Sequence, residues 1–240
     1  MSSGPVDPGP VIPEFGGGSA CVVENRFFCA DWVRDNWGSV LQPALLEHVR
    51  LTAIAVAVGF AIAFVAALLA HRYRRVETPF AAFSAAVYTI PSLALFLLLV
   101  PITGIGLLTV EVALVSYTLL ILFRNALAGL RSAPPEVLEA AVAMGLTRAQ
   151  VLRRVELPLA LPALVAGLRV ATVSTISIAT VAAFVLPEGL GAPMLSALRE
   201  YFRTEILATA GLAILLALTA DTLFVLAQRA LTPWARRSPA

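Results

Sequence analysis

Twenty consecutive residues, 51–70, carry no charged side chain, and no other feature of this 240-residue chain constrains its fold as strongly. A bilayer core about 30 Å thick is crossed by roughly 20 apolar helical residues, because lipid cannot pair with an exposed backbone amide or carbonyl. The composition agrees, since 59% of all residues are hydrophobic and 13% are charged. We therefore predict a transmembrane helix over residues 51–70.

Four more apolar segments are long enough to cross a bilayer. They cover about residues 80–100, 107–123, 159–186 and 206–226. Pro91 lies inside the first of these and is expected to kink it. The uncharged turn 101–106 joins that segment to the next as a helical hairpin. The pattern predicts an all-α polytopic membrane protein with about five transmembrane helices.

The distribution of arginines predicts the orientation, because loops rich in positive charge stay on the cytoplasmic side. With five crossings, one side receives eleven arginines: Arg72, Arg74, Arg75, Arg124, Arg131, Arg148, Arg153, Arg154, Arg229, Arg236 and Arg237. The other side receives five: Arg26, Arg34, Arg50, Arg199 and Arg203. We therefore predict a multi-pass protein of a prokaryotic cytoplasmic (inner) membrane, with the N-terminus outside and the C-terminus inside.

This topology divides the chain into an extracytoplasmic segment 1–50, a transmembrane domain 51–230 with a cytoplasmic loop 124–158, and a cytoplasmic tail 231–240. Residues 31–50 have the pattern of an amphipathic helix along the membrane, with Trp32 and Trp37 at the headgroup level. Cys21 and Cys29 precede this helix on the oxidising side. A disulfide is chemically permitted there, and two free thiols satisfy the sequence equally well.

The cytoplasmic loop has the signals of two short helices. Ser132 is suited to cap the first helix, and Pro134 and Pro135 suit its first turn, where backbone amides need no partner. Gly145 is expected to end this helix, because it adopts a backbone conformation that other residues resist.

Thr147 and Gln150 then form a capping box for the second helix, which is expected to end before Pro158. We expect Ala140 and Ala141 on the exposed side of the first helix. Small side chains there would let a partner protein approach closely.

One spacing across this loop is specific. Glu139-Ala140-Ala141, three residues, Gly145, nine residues and then Val155-Glu156-Leu157-Pro158 resembles the signature loop of ABC importer permeases. The resemblance implies coupling to an ATPase through Glu139, Ala140, Ala141, Met144, Gly145, Leu157 and Pro158. The plain alternative is an amphipathic surface helix.

Four stretches narrow the resemblance to the osmoprotectant permeases: residues 88–95, 101–106, 124–125 and 153–158. It implies the type I ABC importer permease fold and the import of glycine betaine, choline, carnitine or proline betaine. The implied partners are a cytoplasmic ABC ATPase dimer, a second permease subunit of the same or similar sequence, and an extracytoplasmic substrate-binding protein. The alternatives are import of an amino acid such as methionine or, from a different class, an ATP-independent channel or membrane scaffold.

The residues argue against catalysis by the chain itself. It has no lysine and therefore no GxxxxGK[ST] phosphate loop, so we expect a partner to bind ATP and this chain to hold no cofactor. His48 and His71 have no catalytic or metal-binding pattern around them. A net charge of +2 is too small to indicate a nucleic-acid surface.

Charged residues inside the spans are the remaining candidates. A charge at the centre of a transmembrane helix costs about 2.5 to 3.5 kcal/mol on insertion scales, so such residues normally pair or face a cavity. We predict an ion pair between Arg169 and Asp221, with substrate contact as the alternative. Glu111 is expected at the outer interface, and no residue is assigned to substrate binding.

Overall fold

The computed structural model describes residues 19–232. The first eighteen residues of the predicted outer segment and the last eight of the predicted tail lie outside this range. Within it, the elements are all helices: α1 (Ala20–Val23), α2 (Ala30–Asp35), α3 (Gln42–Arg72), α4 (Arg74–Thr89), α5 (Ser92–Thr103), α6 (Leu107–Leu130), α7 (Pro135–Ala143), α8 (Arg148–Val151), α9 (Leu157–Val181), α10 (Gly191–Glu200) and α11 (Arg203–Leu231). Wider π-helical turns cover Trp37–Leu41 and Leu152–Glu156, and a 3-10 turn covers Ala182–Phe184.

Four helical stretches of the described chain are long and apolar enough to cross a membrane: Trp37–Arg72, Leu107–Leu130, Arg148–Phe184 and Arg203–Leu231. Helices α4 and α5 pass the same test only as a pair, which is bent by 104°. The bend lies at Ile90 and Pro91, because proline lacks an amide hydrogen and its ring forces the preceding residue into an extended conformation. The predicted second span is therefore divided into two helices at this bend.

The predicted in-plane helix over residues 31–50 is wrong. Its first part is the short helix α2, and from Trp37 onward the chain runs without a break into the first span. The reason is a continuous buried stripe at helical spacing, which includes Leu41, Ala44 and His48 and continues past Leu51. Trp32 is buried rather than at the headgroup level, with its ring 5.1 Å from that of Phe202.

The core lies where α3, α6 and α9 pack together. Alanines of α3 meet larger side chains of α6 such as Leu122 and Phe123. Helices α6 and α9 cross closely at two glycines. A Cβ atom on Gly167 would lie 2.7 Å from the Cβ of Asn125, and one on Gly129 would lie 3.0 Å from the carbonyl oxygen of Ala160. A larger residue at either position would force these helices apart.

The N-terminal loop is closed by a disulfide between Cys21 and Cys29, with an S–S distance of 2.04 Å. The loop is attached to the turn between α10 and α11. Asn25 Nδ2 donates to the Tyr201 carbonyl at 2.7 Å, and Arg203 N donates to Asn25 Oδ1 at 3.1 Å. These bonds tie the N-terminal loop to the start of α11 at the end of the bundle opposite the polar loop.

His48 attaches the segment after α9 to the first span at the same end. Leu190 N donates to His48 Nδ1 at 3.3 Å, so the other ring nitrogen, Nε2, carries the proton and lies 3.0 Å from the Ile176 carbonyl oxygen. Gly189 N donates to Glu47 Oε2 at 3.0 Å. These bonds satisfy amides just before α10 and fix where that helix begins.

Candidate functional site

Helix α7 forms the first half of the polar loop and begins at proline. Pro134 is its N-cap and Pro135 its first residue, where a missing amide hydrogen has no consequence. The prediction that Ser132 caps this helix is wrong. Its hydroxyl donates to the Gly129 carbonyl oxygen at 2.7 Å and so satisfies the end of α6 instead.

The end of α7 follows the prediction for Gly145, which has a φ of +80°. Gly145 N donates to the Val142 carbonyl at 2.9 Å, and Leu146 N donates to the Ala141 carbonyl at 3.1 Å. This pair of bonds is the Schellman motif, which requires a left-handed residue between the helix and the chain that follows. Glycine therefore sets the direction in which the loop leaves α7.

Most of α7 stands free of the rest of the chain. Ala141 is 2% exposed and Leu138, three residues earlier, is half-buried, so the helix rests on this one side. The expectation that Ala141 belongs to the exposed face is therefore wrong. We define the α7 face as the exposed residues Val137, Glu139, Ala140, Val142 and Met144.

The α7 face is apolar at its end. Val142 is 64% exposed and Met144 is 73% exposed, although both are hydrophobic. Ala140 and Glu139 lie beside them, and Gly145 is also exposed. Val142 and Met144 thus add exposed apolar surface to a short helix that lies outside the spans.

The second half of the loop begins with the predicted capping box. Gln150 N donates to Thr147 Oγ1 at 3.4 Å, and Thr147 N donates to Gln150 Oε1 at 2.7 Å. The predicted stop before Pro158 is wrong, because helix runs from Arg148 to Phe184. The π-turn Leu152–Glu156 lies just before Pro158, and its wider turn relieves the clash that a proline ring makes in a regular helix.

Leu157 and Pro158 thus lie half-buried in the first turn of α9 rather than at the end of a separate helix. Of the seven predicted coupling residues, the structure groups four on the exposed side of α7 and at its end: Glu139, Ala140, Met144 and Gly145. Ala141 lies on the buried side of α7, where the helix packs against the rest of the chain. Leu157 and Pro158 connect the loop to the fourth span.

Two side-chain contacts, one ion pair and one between a histidine and a carboxylate, hold the ends of the loop, and the sequence analysis missed both. Arg131, at the end of α6, donates to Glu77 of α4 through Nη1 at 3.1 Å and Nη2 at 2.7 Å. His71 Nε2, at the end of α3, lies 3.1 and 3.2 Å from the two carboxylate oxygens of Glu156. His71 and Glu77 flank Tyr73, the residue between α3 and α4, so both ends of the loop attach to the same elbow.

Inside the spans, Arg169 and Asp221 face each other. Arg169 Nη2 donates to Asp221 Oδ2 at 3.0 Å, and Nε donates to Oδ1. Glu111 differs from this pair, because both of its carboxylate oxygens are buried and have no hydrogen-bond partner among residues 19–232. Glu111 lies four residues after Leu107, the first residue of α6, and its placement at the outer interface stays a prediction.

A protein-family model described as the inner membrane component of binding-protein-dependent transport systems matches residues 51–237. The chain belongs to this family. The permease is 32% identical to the choline transport system permease protein OpuBB of Bacillus subtilis, over 84% of this chain and 93% of that protein. It is 35% identical to the osmoprotectant import permease protein OsmW of Salmonella typhimurium, over 84% and 96% of the two chains.

A third relative is the glycine betaine/carnitine/choline transport system permease protein OpuCD of Bacillus subtilis. The permease is 36% identical to it over 82% of this chain and 86% of that protein. Among solved structures, an inward-facing MetNI methionine ABC transporter matches with a TM-score of 0.71 and 25% identity, over 80% of this chain and 96% of that chain. The predicted type I ABC importer permease fold is confirmed.

Proposed function

We propose that this permease imports a small compatible solute of the glycine betaine, choline, carnitine or proline betaine type. Relatives whose names give these solutes are 32% and 36% identical to it over more than 80% of its length. Methionine is the second candidate, because a methionine transporter shares the fold, although at 25% identity. The higher identity supports the osmoprotectant class.

Energy for this transport enters through the α7 face, in our proposal. The supporting observation is the exposure of Val142 and Met144 on a short helix whose other side rests on the chain. Because the sequence has no phosphate loop, ATP is hydrolysed by a separate ABC ATPase that docks there. A loop held at its two ends by Arg131 and Glu156 transmits the movement of α7 when the ATPase closes.

The Arg131–Glu77 ion pair and the His71–Glu156 contact provide a route from α7 to the spans. Arg131 attaches the start of the loop to α4, and Glu156 attaches its end to α3. A displacement of α7 is therefore delivered to the elbow between α3 and α4, and from there to the broken α4–α5 pair. Tilting of these helices then alternates access to the two sides of the membrane.

The complete importer, in this proposal, contains two permeases of the same or similar sequence, two ATPases and an extracytoplasmic binding protein. The loop faces the cytoplasm, which places the disulfide loop outside and the C-terminus inside. Two observations support this orientation. Most of the arginines expected inside lie at the end of the bundle that carries α7, and the disulfide lies at the other end.

Uptake measurements test the proposal. A strain that lacks its own compatible-solute importers receives the permease with the genes of its neighbouring ATPase and binding protein, and labelled glycine betaine, choline, carnitine and methionine are compared. We expect saturable uptake of at least one quaternary ammonium solute, which disappears when the ATPase carries an inactive phosphate loop. Uptake of methionine alone would contradict the proposed cargo, and uptake that survives the inactive ATPase would contradict the importer class.

A further inference from the structure

Arg169 and Asp221 lie near the middle of the membrane. Arg169 follows the first residue of α9, Leu157, by twelve residues, and Asp221 precedes the last residue of α11, Leu231, by ten. At 1.5 Å per residue, Arg169 lies about 18 Å along its helix from Leu157, and Asp221 lies about 15 Å along its helix from Leu231. A bilayer core about 30 Å thick therefore has this pair close to its midplane.

The pair is on the surface of the chain rather than in its core. The Arg169 side chain is 43% exposed and that of Asp221 is 31% exposed. The buried residues of α11 all lie in its first two turns, at Thr204, Ala208 and Thr209. Charged groups at the midplane pair with one another, face a cavity or contact a protein partner, so this side of α9 and α11 is not expected to face lipid.

A small cleft opens beside the pair. Its volume is about 280 Å³, and it is lined by Ala166, Arg169, Val170, Val173, Ser174 and Asp221. The two charges lie together in it, and small apolar side chains together with the Ser174 hydroxyl form the rest of its wall. The cleft thus offers a positive group, a negative group and an apolar surface within one small volume.

Arg169 can bind a further anion without leaving Asp221. A guanidinium carries five N–H donors, and Asp221 accepts from only Nε and Nη2. The donors on the Nη1 side remain available to a carboxylate, which is the geometry of a bidentate arginine contact. Asp221 meanwhile attracts a cation that has no hydrogen-bond donor of its own.

We propose that Arg169 and Asp221 form a binding site for a zwitterionic solute in the transport pathway. The solute's carboxylate contacts Arg169, its quaternary ammonium lies near Asp221, and its methyl groups contact Val170 and Val173. This site rests on the proposed function, since it deepens the substrate class from compatible solutes in general to those that carry both charges.

The test compares two solutes that differ in one group. Glycine betaine and choline share the trimethylammonium group, but choline has a hydroxyl in place of the carboxylate. In the uptake strain described above, we expect Arg169→Gln to reduce glycine betaine uptake about tenfold or more, the effect of losing a charge-assisted contact. Choline uptake by the same variant should change less than about threefold.

A purely structural ion pair gives a different pattern. Arg169→Gln and Asp221→Asn would then reduce both solutes equally, and the exchanged variant Arg169→Asp/Asp221→Arg would restore both, since the pair is remade. Either result would overturn the site. If wild-type permease carries glycine betaine alone, the exchanged variant decides, because restored uptake refutes the site and continued loss supports it.

Membrane abundance and co-purification of the ATPase are measured for every variant, so that loss of folding is not mistaken for loss of binding. Absence of glycine betaine, choline and carnitine uptake by the wild-type importer would overturn the proposed function and this site with it, whereas uptake of choline alone would overturn only this site. Loss of glycine betaine uptake in Arg169→Gln with choline uptake retained would support both.

Discussion

Met144 at the end of α7 allows the docking of the ATPase to be tested quantitatively. Its side chain is 73% exposed in the single chain. Complete burial of a methionine side chain is worth about 1.5 to 3 kcal/mol. If the docked ATPase covers the exposed part, Met144→Ala loses about 1 to 2 kcal/mol of binding free energy. The dissociation constant should therefore increase about 5- to 30-fold.

The assay is a titration of purified permease in lipid nanodiscs with its labelled ATPase, followed by fluorescence anisotropy. The matched control is Ile105→Ala. Ile105 is 76% exposed, but it lies in the turn between α5 and α6 at the opposite end of the bundle. The control should bind the ATPase like wild type. An unchanged dissociation constant for Met144→Ala, or an equal loss in the control, would refute docking on the α7 face.

Three further substitutions test the loop and the outer end. Gly145→Ala places alanine at a φ of +80° and should lower the unfolding free energy by about 1 kcal/mol. The control Gly211→Ala, where an added Cβ meets no neighbouring atom, should not lower it, and equal melting temperatures of the two variants would contradict this reasoning. Glu77→Arg should raise the number of ATP molecules hydrolysed per solute imported, with little loss of thermal stability, and adding Arg131→Glu should restore the wild-type ratio. An unchanged ratio in Glu77→Arg would show that this ion pair does not transmit movement from α7 to the spans. Cys21→Ser removes a disulfide with a sequence separation of 8 and should lower the unfolding free energy by about 2.5 kcal/mol, as should treatment of the wild type with a reductant. Unaltered stability would show that the loop is held by its other contacts.

Features coded by neighbouring residues were predictable from the sequence. The spans follow from runs of apolar residues that only a lipid environment accommodates, and their break follows from Pro91. The left-handed Gly145 and the capping box of Thr147 with Gln150 have local causes, because each involves hydrogen bonds between residues at most five positions apart. Such patterns need no knowledge of the tertiary structure.

Which side a residue faces could not be predicted as well. Ala140 and Ala141 are chemically identical neighbours, and only the packing of α7 against the chain decides that Ala141 is buried. Trp32 has the amphipathic character of an interfacial anchor, yet Phe202, which is 170 positions away, offers it a buried partner. A proline inside a helix usually ends it, but at Pro158 the preceding π-turn lets the helix continue.

Long-range pairs were the hardest to foresee. His71 and Glu156 are 85 positions apart, and Glu77 and Arg131 are 54 apart. Surface charges occur throughout such a chain, and neither partner has a local pattern that selects the other. One signal could have helped: the residues at the ends of the polar loop and those at the α3–α4 elbow can pair by charge. This becomes visible only after the topology has placed the loop and the elbow on the same side of the membrane. Arg169 and Asp221 were easier, because few charges lie within the spans.

Cross-linking of the α7 face to the ATPase tests the central claim most directly. Both cysteines of the chain are joined in the disulfide, so Met144→Cys introduces a single reactive thiol on the α7 face. We predict that a short bifunctional maleimide joins position 144 to a cysteine in the cleft of the ATPase, in membranes that contain the assembled importer. If the thiol at position 144 reacts with a small maleimide but never forms an adduct with the ATPase, this helix does not receive the energy of ATP hydrolysis.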